Sequence, residues 1–209
     1  RHSSDLLNYI MAYYPILPTP TYDECDYATW EGGFTSDECN RIIELGELSD
    51  AINSTVGADE SSQKTNTEIR KSLNSWIGLN KDTEWIYQRL GNICRSLNGL
   101  HWRFDISGFA EDLQYTRYNS DGCFYGWHID NGVKGSEYPQ RKLSITLQLS
   151  DASEYEGGDF QIHSSKLSTL PKEKGLVIAF PSYSLHQVTP VTKGSRKSLV
   201  VWLCGKPFQ

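Results

Sequence analysis

Apolar residues recur at helical spacing in the first half of the chain and at every second position in the second half. Thr35-Ser36-Asp37-Glu38 has the form of a capping box, and Cys39, Ile42, Ile43 and Leu45 follow it on one apolar face. Gly46 predicts the stop of that helix. A second helix opens at Asp82-Thr83; Ile86, Leu90, Ile93, Cys94 and Leu97 make its buried stripe, and Gly99 predicts its end. From residue 110 the period changes to two. Leu113 to Tyr118, Leu143 to Leu149 and Phe160 to Ile162 alternate, whereas Leu176 to Phe180 is continuously apolar and Ser198 to Cys204 nearly so. Short strands separated by Gly, Pro and Asn turns predict a two-sheet jelly roll or barrel.

The remaining stretches carry weaker patterns. Residues 1–33 hold Pro15, Pro18 and Pro20, which interrupt any helix and predict an extended arm. Residues 49–66 are polar and unpatterned, a surface loop, and Thr67 to Leu73 has the composition of a short strand. The expected organisation is one domain over 1–209: arm 1–33, helical support 34–100, β core 101–209.

Composition narrows the partners. The formal net charge is −6, and Lys and Arg form no stripe, which argues against a nucleic-acid groove. No run of eighteen apolar residues exists to span a membrane, and no apolar leader segment is visible, so a cytoplasmic location is expected. Cys25, Cys39, Cys94, Cys123 and Cys204 are odd in number and include no C-x-x-C pair, which fits reduced thiols.

Candidate chemistry gathers around Arg117 to Asp130 (RYNSDGCFYGWHID). On a strand, His128 and Asp130 would point to one side. His186 lies downstream on an aromatic-rich background, and Arg196 follows ten residues later. Two His and one carboxylate form the facial triad of non-haem Fe(II) oxygenases. A buried Arg binds a carboxylate with its planar fork. His101 and His163 are set aside as ordinary packed or surface residues.

The runs YNSDGCFYGWHIDN, RKLSITLQLSD, YEGGDFQI and GLVIAFPSYSLHQVTPVTKGSRKSLVVW resemble, in order, the prolyl-4-hydroxylase-like 2-oxoglutarate/Fe(II) dioxygenases, and within them the PKHD-type hydroxylases of bacteria and phage. The resemblance implies a mainly β double-stranded β-helix, jelly-roll or cupin-like, buttressed by N-terminal helices. It implies Fe(II) held by His128 and Asp130 on one strand and His186 on a facing one. It implies 2-oxoglutarate anchored by Arg196 and Tyr118. Gln148 stands where some relatives have a second cosubstrate Tyr, and Trp202 would wall the same pocket. Tyr125, Trp127, Asn131 and Arg141 would touch the molecule being oxidised. The presence of Asp130 implies hydroxylation rather than halogenation, with 2-oxoglutarate converted to succinate and CO2 and ascorbate as reductant. The substrate implied is a prolyl or other amino-acid side chain in a peptide, or a free amino acid, in a bacterial cell or phage-infected host. Two other readings stay open: a metal-stabilised jelly-roll binding module without turnover, and a nucleic-acid-base demethylase. Specificity would reside in loops 49–66 and 132–140.

Overall fold

The Thr35 backbone N–H donates to Glu38 Oε2 at 2.9 Å, and the Glu38 N–H donates to Thr35 Oγ1 at 3.3 Å. This reciprocal box opens helix α1, Ser36–Leu48, in the computed structural model, which describes residues 25–49, 52–53, 69–130 and 139–207. The helix does not stop at Gly46. A Cβ there would lie 2.3 Å from the Tyr115 ring, and the Ser75 hydroxyl donates to the Gly46 carbonyl at 2.6 Å. Gly46 therefore serves close packing rather than termination. Gly46→Ala is expected to destabilise the fold by about 3 kcal/mol, as overpacking of a tight core does, measurable by urea unfolding.

Helix α2, Glu84–His101, likewise runs two residues past the predicted stop at Gly99. It ends where the Trp102 and Arg103 N–H groups both donate to the Asn98 carbonyl, with Arg103 at φ 53°. Its stripe Ile86, Leu90, Ile93, Cys94 and Leu97 is buried, as the spacing predicts. No described helix is long and apolar enough to cross a membrane.

The strands are β1 (Ala28–Trp30), β2 (Ile52–Asn53), β3 (Arg70–Lys71), β4 (Leu73–Ile77), β5 (Gly108–Phe109), β6 (Leu113–Asn119), β7 (Phe124–His128), β8 (Gln140–Gln148), β9 (Tyr155–Gly157), β10 (Phe160–His163), β11 (Leu167–Thr169), β12 (Val177–Pro181), β13 (Leu185–Val188) and β14 (Val191–Gly205). The larger sheet runs β1-β12-β8-β14-β6-β4-β2, with β5 and β9 also paired to β14. The smaller runs β11-β10-β13-β7-β3. This is the mainly β, jelly-roll architecture with two buttressing helices that the alternation predicts. Segment 34–100 is more than helical support, however: β2 and β4 extend the larger sheet, and β3 pairs with β7 in the smaller one.

Alternation along the larger sheet separates its two faces. Leu113 and Tyr115 on β6, Leu143, Ile145 and Leu147 on β8, and Leu199, Val201 and Leu203 on β14 pack with Ile42, Ile86 and Leu90 of the helices. Each fully buried aliphatic side chain contributes about 1.5–3 kcal/mol. The opposite face presents Gln114, Tyr118, Thr146, Arg196, Ser198 and Trp202 to a cavity between the sheets. A second core of Tyr118, Phe160, Ile162, Ile178, Phe180 and Val188 packs in the same interlayer. β12 is apolar on both sides because Val177 and Ala179 join the helix-side core and Ile178 and Phe180 the inner one.

Candidate active site

His128 is the last residue of β7, and His186 pairs directly across from it on β13. The two imidazoles are thus neighbours within one sheet, not partners on facing strands as expected. Asp130 also departs from expectation, lying two residues beyond the end of β7, where its N–H donates to the Ser182 carbonyl at 2.8 Å. Its Oδ2 accepts from Ser144 Oγ at 2.8 Å and from Trp202 Nε1 at 3.0 Å, both on the larger sheet. The Ser144 and Ser182 hydroxyls are 2.9 Å apart. The smaller sheet supplies the imidazoles; the larger one orients the carboxylate.

Both histidines are set by the same local device. His128 Nδ1 donates to the Gly126 carbonyl at 2.8 Å and His186 Nδ1 to the Ser184 carbonyl at 2.9 Å. This leaves each Nε2 lone pair directed inward. His128 Nε2 is 3.6 Å from Asp130 Oδ1, and His186 Nε2 is 3.5 Å from Oδ2. The three potential ligand atoms lie within 4.8 Å of one another. Burial, then the neighbouring His186, pulls His128 down to about 3. Burial pushes Asp130 up, but the two imidazoles, the Trp202 N–H and Arg141 outweigh it and hold the carboxyl below its usual range. A neutral imidazole beside an ionised carboxylate is the protonation state a metal requires. Inward-facing acceptors repel unless a cation lies among them, so this donor set fits a divalent first-row metal such as Fe(II).

Aromatic rings shield the cluster. Tyr125 stacks on His128 with centroids 3.4 Å apart, and Phe180 meets His186 edge-on at 4.7 Å.

Arg196 on β14 is only 1% exposed. Its Nη2 donates to Gln148 Oε1 at 3.1 Å and its Nη1 to Ser198 Oγ at 3.2 Å, while Nε has no partner. It lies 5.4 Å from the Tyr118 ring centroid. No carboxylate pairs with it among the described residues. Arg196, Tyr118 and the His–Asp–His cluster line one cavity of about 230 Å³. A buried guanidinium with neutral partners and an idle N–H suits a ligand carboxylate.

Other candidate residues divide. Gln148 holds the guanidinium and is not among the residues lining the cavity; Trp202 lines it and also orients Asp130. Tyr125 lines the cavity too. Arg141 forms a two-point pair with Glu111, the Nε bond being 2.6 Å, and also reaches the cavity wall, 3.6 Å from the Trp202 ring centroid. Trp127 is 41% exposed, edge-on to His163 at 6.1 Å, outside the lining. Asn131 lies outside the described residues, as do most of loops 49–66 and 132–140.

Sequence reasoning missed Arg70, Glu111, Gln114, Thr146 and Ser198 in the lining and Ser144 beneath Asp130. Gln114, Ser144, Thr146 and Ser198 carried a signal, being polar members of otherwise apolar strands. Arg70 and Glu111 carried none. Trp202→Phe removes one bond to Asp130 while keeping an aromatic wall. It is expected to weaken metal affinity about 10–100-fold, measured by calorimetry.

Residues 113–204 match the family model of the 2OG-Fe(II) oxygenase superfamily. A PKHD-type hydroxylase of Nitrosomonas europaea is 37% identical over 99 residues, covering 43% of this chain and 41% of that protein. The chain thus spans about two fifths of that relative's length. Two solved structures share the fold. One is a viral collagen prolyl hydroxylase from Paramecium Bursaria Chlorella virus-1 in complex with 2OG, at TM-score 0.64, 21% identity, and coverage of 87% of this chain and 97% of that one. The other is a Trichoplax adhaerens prolyl hydroxylase in complex with a hypoxia inducible factor peptide fragment, at TM-score 0.66, 17% identity, and coverage of 86% and 83%.

Proposed function

We propose that this chain, whose residues 113–204 match the 2OG-Fe(II) oxygenase superfamily, is an Fe(II)- and 2-oxoglutarate-dependent dioxygenase. It hydroxylates a C–H bond of an amino-acid side chain, with a prolyl residue in a peptide as the first candidate. The carrying observation is one cavity lined both by a largely buried three-acceptor cluster and by a buried guanidinium that no carboxylate pairs with among the described residues. His128, Asp130 and His186 would hold the iron; Arg196 and Tyr118 would hold the far carboxylate of 2-oxoglutarate. When bound, the iron supplies the redox chemistry that couples O2, decarboxylation of 2-oxoglutarate to succinate, and C–H oxidation. The protein's own part is positional. Ser144 and Trp202 orient Asp130, the Gly126 and Ser184 carbonyls orient the imidazoles, and Phe160, Phe180 and Val188 keep that wall dry. The peptide-bound Trichoplax neighbour supports a peptidyl substrate.

The test incubates the protein with Fe(II), 2-oxoglutarate, ascorbate and proline-containing peptides. Succinate release with a gain of one oxygen on the peptide is expected. Absence of both iron binding and succinate overturns the proposal. A melting temperature raised by metal, with no consumption of 2-oxoglutarate, would mark a binding module instead.

A further inference from the structure

The cavity holds another buried guanidinium that the proposed reaction does not use. Arg70, on β3 and outside the segment that matches the family model, is 7% exposed. Its Nε donates to Ser72 Oγ at 3.0 Å and its Nη2 to Asn74 Oδ1 at 3.1 Å. Both partners are neutral, and no carboxylate pairs with Arg70 among the described residues. It sits 4.4 Å from the centroid of the Tyr125 ring, which stacks on His128. One aromatic ring therefore separates this cation from the metal cluster.

Among the described residues of the lining the charges do not cancel: three guanidiniums, Arg70, Arg141 and Arg196, face two carboxylates, Glu111 and Asp130. Glu111 neutralises Arg141 directly. On the function proposed above, on which this step rests, a divalent metal and a doubly charged cosubstrate offset each other, and Arg196 is used. One positive charge is left, at Arg70. A buried cation without a counter-charge is unfavourable, and a ligand anion relieves it.

We propose that Arg70 recognises a carboxylate carried by the molecule that is oxidised, so that the substrate is an acidic amino-acid unit. One residual charge matches a carboxylate better than a phosphate, which carries nearly two. The carboxylate has two possible sources: a free α-carboxylate at a chain end, or an acidic side chain beside the oxidised residue.

The test compares acids with their neutral isosteres on protein loaded with Mn(II) and 2-oxoglutarate, where binding is read by calorimetry without turnover. N-acetyl-L-proline against its amide probes the first source. N-acetyl-Pro-Asp-amide against N-acetyl-Pro-Asn-amide probes the second. In at least one pair the acid is expected to bind about 100-fold tighter to the wild type. In Arg70→Gln, whose amide nitrogen takes the place of the Nε that donates to Ser72, that preference should fall to a few-fold. Arg70→Lys should keep part of it, because the charge remains without the fork. Melting curves check that both variants fold. Equal binding of acid and isostere in both pairs, an unchanged preference in Arg70→Gln, or no binding of any acid overturns the proposal. Titration with 2-oxoglutarate separates this from the function itself: wild type and Arg70→Gln should bind it alike, and failure of the wild type would overturn the oxygenase reading instead.

Discussion

Methionine in place of Arg196 is expected to raise the 2-oxoglutarate concentration for half-saturation by about 100-fold or more and to leave the fold intact. The guanidinium offers a planar fork and is itself buried, and a two-point charge-assisted pair there is worth about 3 kcal/mol. That converts to about two orders of magnitude in affinity. The effect on the ligand-free protein has the opposite sign. Arg196 is buried against the neutral Gln148 and Ser198, with Nε idle, so among the described residues no carboxylate compensates its charge. An apolar side chain of similar length removes that desolvation cost. Thermal melts should therefore show Arg196→Met at least as stable as the wild type without 2-oxoglutarate, and unresponsive to its addition. An unchanged response to 2-oxoglutarate would show that the far carboxylate binds elsewhere.

Asp130→Ala carries the second large effect. It removes the only carboxylate of the cluster and should lower iron affinity at least about 100-fold, with turnover falling below detection. It also acts on the metal-free protein. Ser144 Oγ and Trp202 Nε1 both donate to Asp130 Oδ2. Without it, the buried Trp202 N–H loses its acceptor, at about 1–3 kcal/mol, while Ser144 can turn to the Ser182 hydroxyl. The variant should thus melt lower than the wild type even after chelation, whereas Asp130→Asn, which retains an acceptor oxygen, should recover most of that stability but not the turnover. Equal metal affinity in wild type and Asp130→Ala would remove the carboxylate from the centre.

Both of these residues were visible in the sequence. Asp130 was marked by its spacing from His128 and Arg196 by its distance from His186. Their partners were not. Ser144 and Ser198 stood out as polar residues in apolar strands, yet nothing along the chain says that one orients a carboxylate and the other a guanidinium. Gln148 stands at a cosubstrate-Tyr position of some relatives, and nothing along the chain says that its amide oxygen accepts from Arg196. Arg70 lies in a short strand that pairs, among the described residues of the smaller sheet, with β7, far along the chain, so no local pattern could place it in the cavity.

Helices α1 and α2, the strand alternation and the capping box were determined by the sequence alone, because each depends on residues within a turn or two of one another. The stops at Gly46 and Gly99 were misplaced for the complementary reason. A glycine reads locally as a terminator, but the Tyr115 ring from β6 occupies the space beside Gly46, and that approach is a property of packing. Strand pairing decided the rest. It set His186 beside His128 in one sheet, drew Trp202 from β14 onto Asp130, and turned the polar face of the larger sheet inward. Such contacts join residues tens of positions apart, and their geometry exists only once both sheets have formed and closed over the cavity.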